Sequence, residues 1–132
     1  MLHIFDAKPD GVKENAKVVL GIFTDKDQLV GVFDLIKSYS GPRTLSLGLM
    51  LIDTSSRGKG VGNKAYKLLE EWVITQQFDK VRLGVLFGNE IGLRFWKNMG
   101  YIRTGEIKTQ MRPNLSKKVM VLEKSIAVSV AR

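Results

Sequence analysis

The residues of this chain best placed to do chemistry together form the run Arg57-Gly58-Lys59-Gly60-Val61-Gly62-Asn63. Glycines on alternate positions let the backbone approach a ligand closely and adopt positive φ, and Arg57 and Lys59 add positive charge. An apolar stretch, Thr44–Ile52, leads into the run, and a helical pattern follows at once. Strand, glycine-rich turn and helix together offer unpaired N–H groups and a positive helix end to an anion, phosphate above all. Two familiar phosphate loops do not fit. The P-loop pattern GxxxxGK[ST] finds no glycine at the required distance ahead of Gly58 or Gly60. The dinucleotide pattern GxGxxG meets Asn63 in its last glycine position, and Phe87-Gly88 supplies no acid for a ribose after the next strand.

The elements that must position this loop can be read from periodicity. Val18 to Thr24 and Leu29 to Tyr39 read as strands joined by the short polar link Asp25-Lys26-Asp27-Gln28, an antiparallel hairpin. Thr44 to Ile52 is a third strand, nearly uncharged and therefore central. Val61, Ala65, Leu68, Leu69, Trp72 and Val73 recur at helical spacing, which predicts a helix from about Gly60 to Gln76. Lys80 to Phe87 is the next strand, and a β-α-β crossover makes it parallel to the third. A short helix over 89–98 ends at Gly100, and strands over 101–109 and 118–123 complete the chain. Met1 to Ala16 carries little periodicity apart from the turn signal Pro9-Asp10-Gly11. The expected fold class is α+β, one domain over 1–132, with a mixed, largely antiparallel central sheet, a β-α-β core and flanking helices.

Composition narrows the partners. A chain of 132 residues with 44% apolar and 26% charged content suits one globular domain. No run approaches the roughly 18 apolar residues of a membrane span, and the N-terminus lacks the pattern of a signal peptide. The chain has no cysteine, hence no disulfide, zinc–thiolate site or thiol nucleophile. A cytoplasmic protein without a membrane partner is expected. The net charge of +8 favours an anionic ligand, yet the basic residues are scattered and no block of five or six marks a nucleic-acid tail. No nucleic-acid partner is expected. The lone His3 and the absence of an acidic or histidine cluster suggest no metal site.

Arg57, Gly60 and Gly62 satisfy the pattern Arg/Gln-x-x-Gly-x-Gly/Ala, the pyrophosphate loop of acyl-CoA-dependent N-acetyltransferases. Some 30 residues on, Asn89 precedes Leu93-Arg94-Phe95-Trp96-Lys97-Asn98-Met99-Gly100-Tyr101, close to the Phe-Tyr-x-x-x-Gly-Phe signature of the same proteins. From about Val18 to Lys124 the chain thus resembles the GNAT superfamily. The resemblance implies acetyl-CoA as cofactor, with pyrophosphate on Arg57, Gly58, Lys59, Gly60, Val61, Gly62 and Asn63. It implies a pantetheine arm along the backbone of Met50, Leu51 and Ile52, met by Asn89 and Trp96. Read without the resemblance, Met50 to Ile52 are core strand, Asn89 is a helix N-cap and Trp96 is packing.

The implied reaction is direct attack of a primary amine, from a small molecule or a peptide, on the thioester. It needs a base for the ammonium, which titrates near 10, and a proton for the leaving thiolate. Asp53, just past the third strand, and Asp34, within the second, are candidate bases, each also readable as a solvent-facing or turn aspartate. The family's usual acid is a tyrosine where Trp96 stands; an indole donates a hydrogen bond but no proton at neutral pH, so either the thiolate leaves unassisted or Tyr101, Tyr66 or water substitutes. A non-catalytic or impaired acyl-CoA-binding module is the alternative. Family members also open with a strand and two helices, for which the residues before Val18 are too few. On that reading Val18–Thr24 is a sheet edge, with Val19, Leu20, Ile22, Val30 and Val32 the residues most exposed, and a homodimer is expected to cover it.

Overall fold

In a computed structural model, the protein is described over residues 1–6, 17–38, 41–112 and 115–126. Seven strands form one sheet: β1 (Leu2–Asp6), β2 (Lys17–Thr24), β3 (Leu29–Lys37), β4 (Thr44–Ile52), β5 (Lys80–Leu86), β6 (Ile102–Arg112) and β7 (Leu115–Ser125). Their spatial order is β1-β2-β3-β4-β5-β7-β6, with β4–β5 the single parallel pair. Helix α1 (Val61–Thr75) makes the β4–β5 crossover, and α2 (Glu90–Asn98) links β5 to β6. The expected α+β fold with a mixed, largely antiparallel sheet is observed.

Side chains alternate across a strand, so the registers sort the sheet into two faces. Val18, Leu20 and Ile22 stand on the same face as Phe33, Leu35, Leu45, Leu47, Val81, Leu83 and Leu122, and all are buried. Ala65, Tyr66, Leu69 and Val73 of α1 close this core. Burying a side chain such as Leu69 or Val73 contributes about 1.5–3 kcal/mol, which fixes the helix on this face rather than the other. The opposite face carries His3, Phe5 and Phe23 as neighbouring rings, with Leu49 and Leu51 exposed beyond them.

The N-terminus corrects the sequence reading. Leu2–Asp6 is a strand, paired antiparallel with β2 from Leu2↔Thr24 to Asp6↔Leu20. Val18–Thr24 is therefore an interior strand, not an edge. Leu20, Ile22 and Val30 are buried, and Val19 and Val32 are half-buried, so the predicted exposed patch is absent there. The physical reason is length: Leu2 and Ile4 pack on the core while His3 and Phe5 face away, too few repeats for a period to stand out. The two helices expected between such a strand and β2 could fall only in 7–16, outside the described residues, as do Tyr39, Pro113 and Asn114. Strands β6 and β7 also run longer than expected; a register shift between Arg103 and Ile107 lets the pair continue past an irregular stretch.

Candidate acetyl-donor cleft

The sheet splits where the site lies. β4 and β5 pair only from Thr44↔Lys80 to Leu47↔Leu83, although β4 continues to Ile52 and β5 to Leu86. The split starts beside a bulge: Leu35 faces Leu47 and Asp34 faces Leu49, leaving Gly48 as an extra residue on β4. Beyond it, the β5-facing edge of β4 has no ladder partner among the described residues, so the N–H and C=O groups of 48–51 that point to that edge are available to an extended ligand carrying amides.

The chain then turns into α1. Gly58 and Gly60 both hold left-handed backbone, with φ of 76° and 75°. A Cβ at either would meet no atom within 4 Å, so glycine is required by conformation and by what must approach, not by neighbours. Gly60 is the N-cap residue of α1 and supplies no side-chain cap, and the first turn holds no acid. The N–H groups of Val61, Gly62 and Asn63 consequently point from a positive helix end with no internal carboxylate to satisfy them. Arg57 bends back, its Nε donating to the Ile52 carbonyl at 2.9 Å, which ties the loop to the end of β4.

These elements close on one cleft of about 660 Å³. Met50, Leu51, Ile52, Arg57, Gly58, Gly60, Gly62 and Asn63 line it from one side, and Asn89 and Trp96 with Ile91, Gly92 and Phe95 from the other. Lys59 and Val61 belong to the loop but do not line the cleft; Lys59 is exposed and Val61 packs on the core. Asn89 accepts from the Gly92 N–H at 2.9 Å, so it caps α2 and borders the cleft at once. Trp96 stands edge-on to Phe95, Tyr66 and Tyr101, with ring centroids 4.9, 5.5 and 5.3 Å away. Its indole is a wall held by aromatic packing.

Asp53 and Tyr101 lie elsewhere. Asp53 accepts from the Ser55 hydroxyl, and its N–H donates to the Val30 carbonyl at 2.7 Å, on the β3 side of the strand end. Tyr101 is 2% exposed and accepts from the Tyr66 hydroxyl at 2.9 Å. Burial pushes both phenols above the ordinary tyrosine range, and for Tyr66 the neighbouring Tyr101 and Glu70 push in the same direction. Neither is an acid near neutral pH. Beneath them Lys124 Nζ bonds Glu70 and donates to the Met99 carbonyl at 2.6 Å. The alternative base Asp34 faces away from the core and pairs with Lys17 at 3.4 Å. Sequence reasoning missed the roles of Ile91, Gly92 and Phe95 in lining the cleft and of Tyr66 in the core. Gly92, three residues after a capping Asn, was a usable signal; Ile91, 80% exposed on α2, had none.

Residues 3–101 match the acetyltransferase (GNAT) family. The chain belongs to that family, whose members are acetyl-CoA-dependent N-acetyltransferases. The match begins within β1 and ends at Tyr101, the last residue of the second signature, so it spans the loop, the split strands and the crossover helix. Spermidine N-acetyltransferase from Vibrio cholerae, crystallised with CoA and spermine, superposes with a TM-score of 0.73 at 17% identity, over 86% of this chain and 68% of that one. The ribosomal-protein-S18-alanine N-acetyltransferase from Escherichia coli gives 0.77 at 9% identity, over 98% and 97%. An acetyltransferase from Bacillus cereus gives 0.71 at 13% identity, over 95% and 98%. These likenesses are of fold. No curated protein sequence matches the chain.

Proposed function

We propose that this acetyltransferase moves the acetyl group of acetyl-CoA to a primary amine by direct attack. The observation that carries the reading is that one cleft gathers the open edge of β4, the Arg57–Asn63 loop and the Asn89–Trp96 segment. The pyrophosphate takes the N–H groups of Gly58 to Asn63, with Arg57 and Lys59 adding charge. The pantetheine arm extends along Met50, Leu51 and Ile52 as an added strand would, against Asn89 and Trp96. The thioester then lies at the gap between β4 and β5. There the amine lone pair forms the new C–N bond, the C–S bond breaks with its electron pair on sulfur, and the surplus amine proton passes through water to the thiolate. A thiol of ordinary pKa near 8.5 leaves without an obligatory acid, which suits a wall of Trp96. We assign Trp96 to contact with the donor. Asp53 acts through water, and Tyr101 supports Trp96 from behind.

A second reading has its own observation: among the described residues that line the cleft, Arg57 is the only titratable side chain. A module that binds acyl-CoA without transferring it needs no more than that. A thiol-release assay with acetyl-CoA and a panel of amines separates the two. Amine-dependent release of CoA is the expected result; tight acetyl-CoA binding without release for any amine would leave the binding module.

The proposed location is the cytoplasm, consistent with a chain that needs no oxidising compartment for cysteines. No described helix is long and apolar enough to cross a membrane. We also propose a homodimer. Its support moves from β2 to the face opposite α1, where Phe5, Leu49 and Leu51 are each about half exposed. Light scattering tests it: a single monomeric species at micromolar concentration would refute it. Because β2 is paired on both sides, amide exchange there would be slow in monomer and dimer alike.

A further inference from the structure

The donor cleft opens toward the helices, and a second recess, of about 230 Å³, lies on the opposite face beneath the same split. Ser46, Gly48, Gly84, Arg82, Lys108 and Val119 are among its lining residues. Its depth depends on Gly84, where a Cβ would come within 2.4 Å of Val119 Cγ1. The recess adjoins the last paired residues, Leu47 and Leu83, and so reaches the gap from the side the donor does not occupy. Its walls are mainly aliphatic, and both of its charged lining residues, Arg82 and Lys108, are cations.

The carboxylates that hold these cations do not line the recess. Arg82 Nη2 donates to Glu106 Oε1 at 2.6 Å and Nη1 to Glu123 Oε2 at 3.4 Å, while Lys108 lies 3.8 Å from Glu106. Lys80 adds a further cation, 3.2 Å from Glu123. Among the described residues, three cations, Arg82, Lys108 and Lys80, meet the two carboxylates Glu106 and Glu123 here. Arg82 is fixed in orientation between two partners, with its side chain 19% exposed. A pre-oriented guanidinium beside an ammonium attracts a carboxylate and repels a second ammonium.

Resting on the acetyltransferase reading, we propose that this recess receives the acceptor, and that the acceptor is an amine carrying a carboxylate of its own. An amino acid or the end of an acidic peptide has that chemistry; a polyamine does not. Arg82 and Lys108 hold the carboxylate at the rim, the aliphatic walls take the intervening carbon chain, and the amine reaches the gap between β4 and β5. These two residues select the substrate and touch no atom that reacts.

The test is a thiol-release assay on matched amines: an amino acid, its carboxamide, and spermidine. The carboxylate form is expected to exceed its amide by about tenfold or more in kcat/KM, with spermidine the poorest. Lys108, with half its side chain in solvent, can be changed without opening the core. Lys108→Glu is expected to abolish the carboxylate preference or reverse it toward spermidine, through KM for the amine, with acetyl-CoA affinity unchanged. Equal rates for acid and amide, a preference for spermidine, or an unaltered preference in Lys108→Glu would overturn the proposal. So would release with neutral amines alone. Calorimetric titration of acetyl-CoA runs alongside: failure to bind the donor would refute the acetyltransferase reading itself, whereas binding with the wrong acceptor order refutes only this inference.

Discussion

Replacing Gly60 by valine separates the loop's backbone demand from its ligand demand. At φ 75° an L-residue costs about 1–2 kcal/mol, and a β-branched one lies at the upper end. No steric cost is added inside the protein, because a Cβ there meets nothing within 4 Å. At about 4 °C per kcal/mol for a domain of this size, Tm should fall by about 4–8 °C. Affinity should fall for a different reason. Gly60 lines the cleft, so the valine methyl groups occupy space the pyrophosphate needs. A hydrogen bond from backbone N–H to a charged oxygen contributes about 1.5–3 kcal/mol, so losing one weakens acetyl-CoA binding about 10- to 150-fold. Gly105→Val is the matched control: its φ is 90°, a Cβ there also meets nothing within 4 Å, and it lies in β6, outside the cleft lining. It should lose comparable stability and keep its affinity. Isothermal titration of acetyl-CoA against the three proteins, at a temperature where all are folded, reads the difference. Kd values for Gly60→Val and wild type within about twofold would refute the placement of pyrophosphate on this loop.

Other consequences are open to measurement. Direct attack leaves no acyl-enzyme, so mixing with acetyl-CoA alone, followed by acid quench and intact mass spectrometry, should reveal no acetyl adduct that a later amine can remove. Trp96→Phe keeps an aromatic wall against Tyr66 and Phe95 and should keep most of kcat; a loss above about 100-fold in kcat alone would give the indole a transition-state role. The carboxyls of Glu106, beside Arg82, and Asp79, beside Arg43, are held below their ordinary values, chiefly by those hydrogen bonds. Their stabilisation is full above the unfolded-state pKa near 4 and is lost as pH falls through the lower folded value. Tm should therefore drop as pH is lowered below about 4, and the drop should shrink in a variant combining Glu106→Gln with Asp79→Asn.

What the sequence could reveal depended on how many repeats each pattern had. Helix α1 runs four turns, and its apolar positions announced both its length and the face it buries. The loop was legible because its chemistry is local: glycine at the positive-φ residues 58 and 60 is a requirement written in single positions. Strand β1 was not legible, since five residues with two core-facing side chains carry no measurable period, and only the unpaired edge of β2 explains why they fold there. The catalytic candidates are a different case. Asp53 and Tyr101 sit at the right distance along the chain, but whether a side chain enters the cleft depends on the turn after β4 and on the burial of Tyr66, neither encoded by spacing.

The split between β4 and β5 is the feature on which the function turns, and it is the least local. Parallel strands joined through a helix usually pair along their shared length, yet here only four residues of each do. The bulge at Gly48 gives a cause: an extra residue bends β4 away just where β5 continues toward β7. One irregularity thus leaves a free strand edge toward the helices, where we place the donor, and a cation-rimmed recess on the far face, where we place the acceptor. Glycine at 48 and at 84, on the two strands that part, keeps side chains out of the gap between them. A side chain at position 84 would collide with Val119, so the recess and the packing of β5 on β7 stand or fall together.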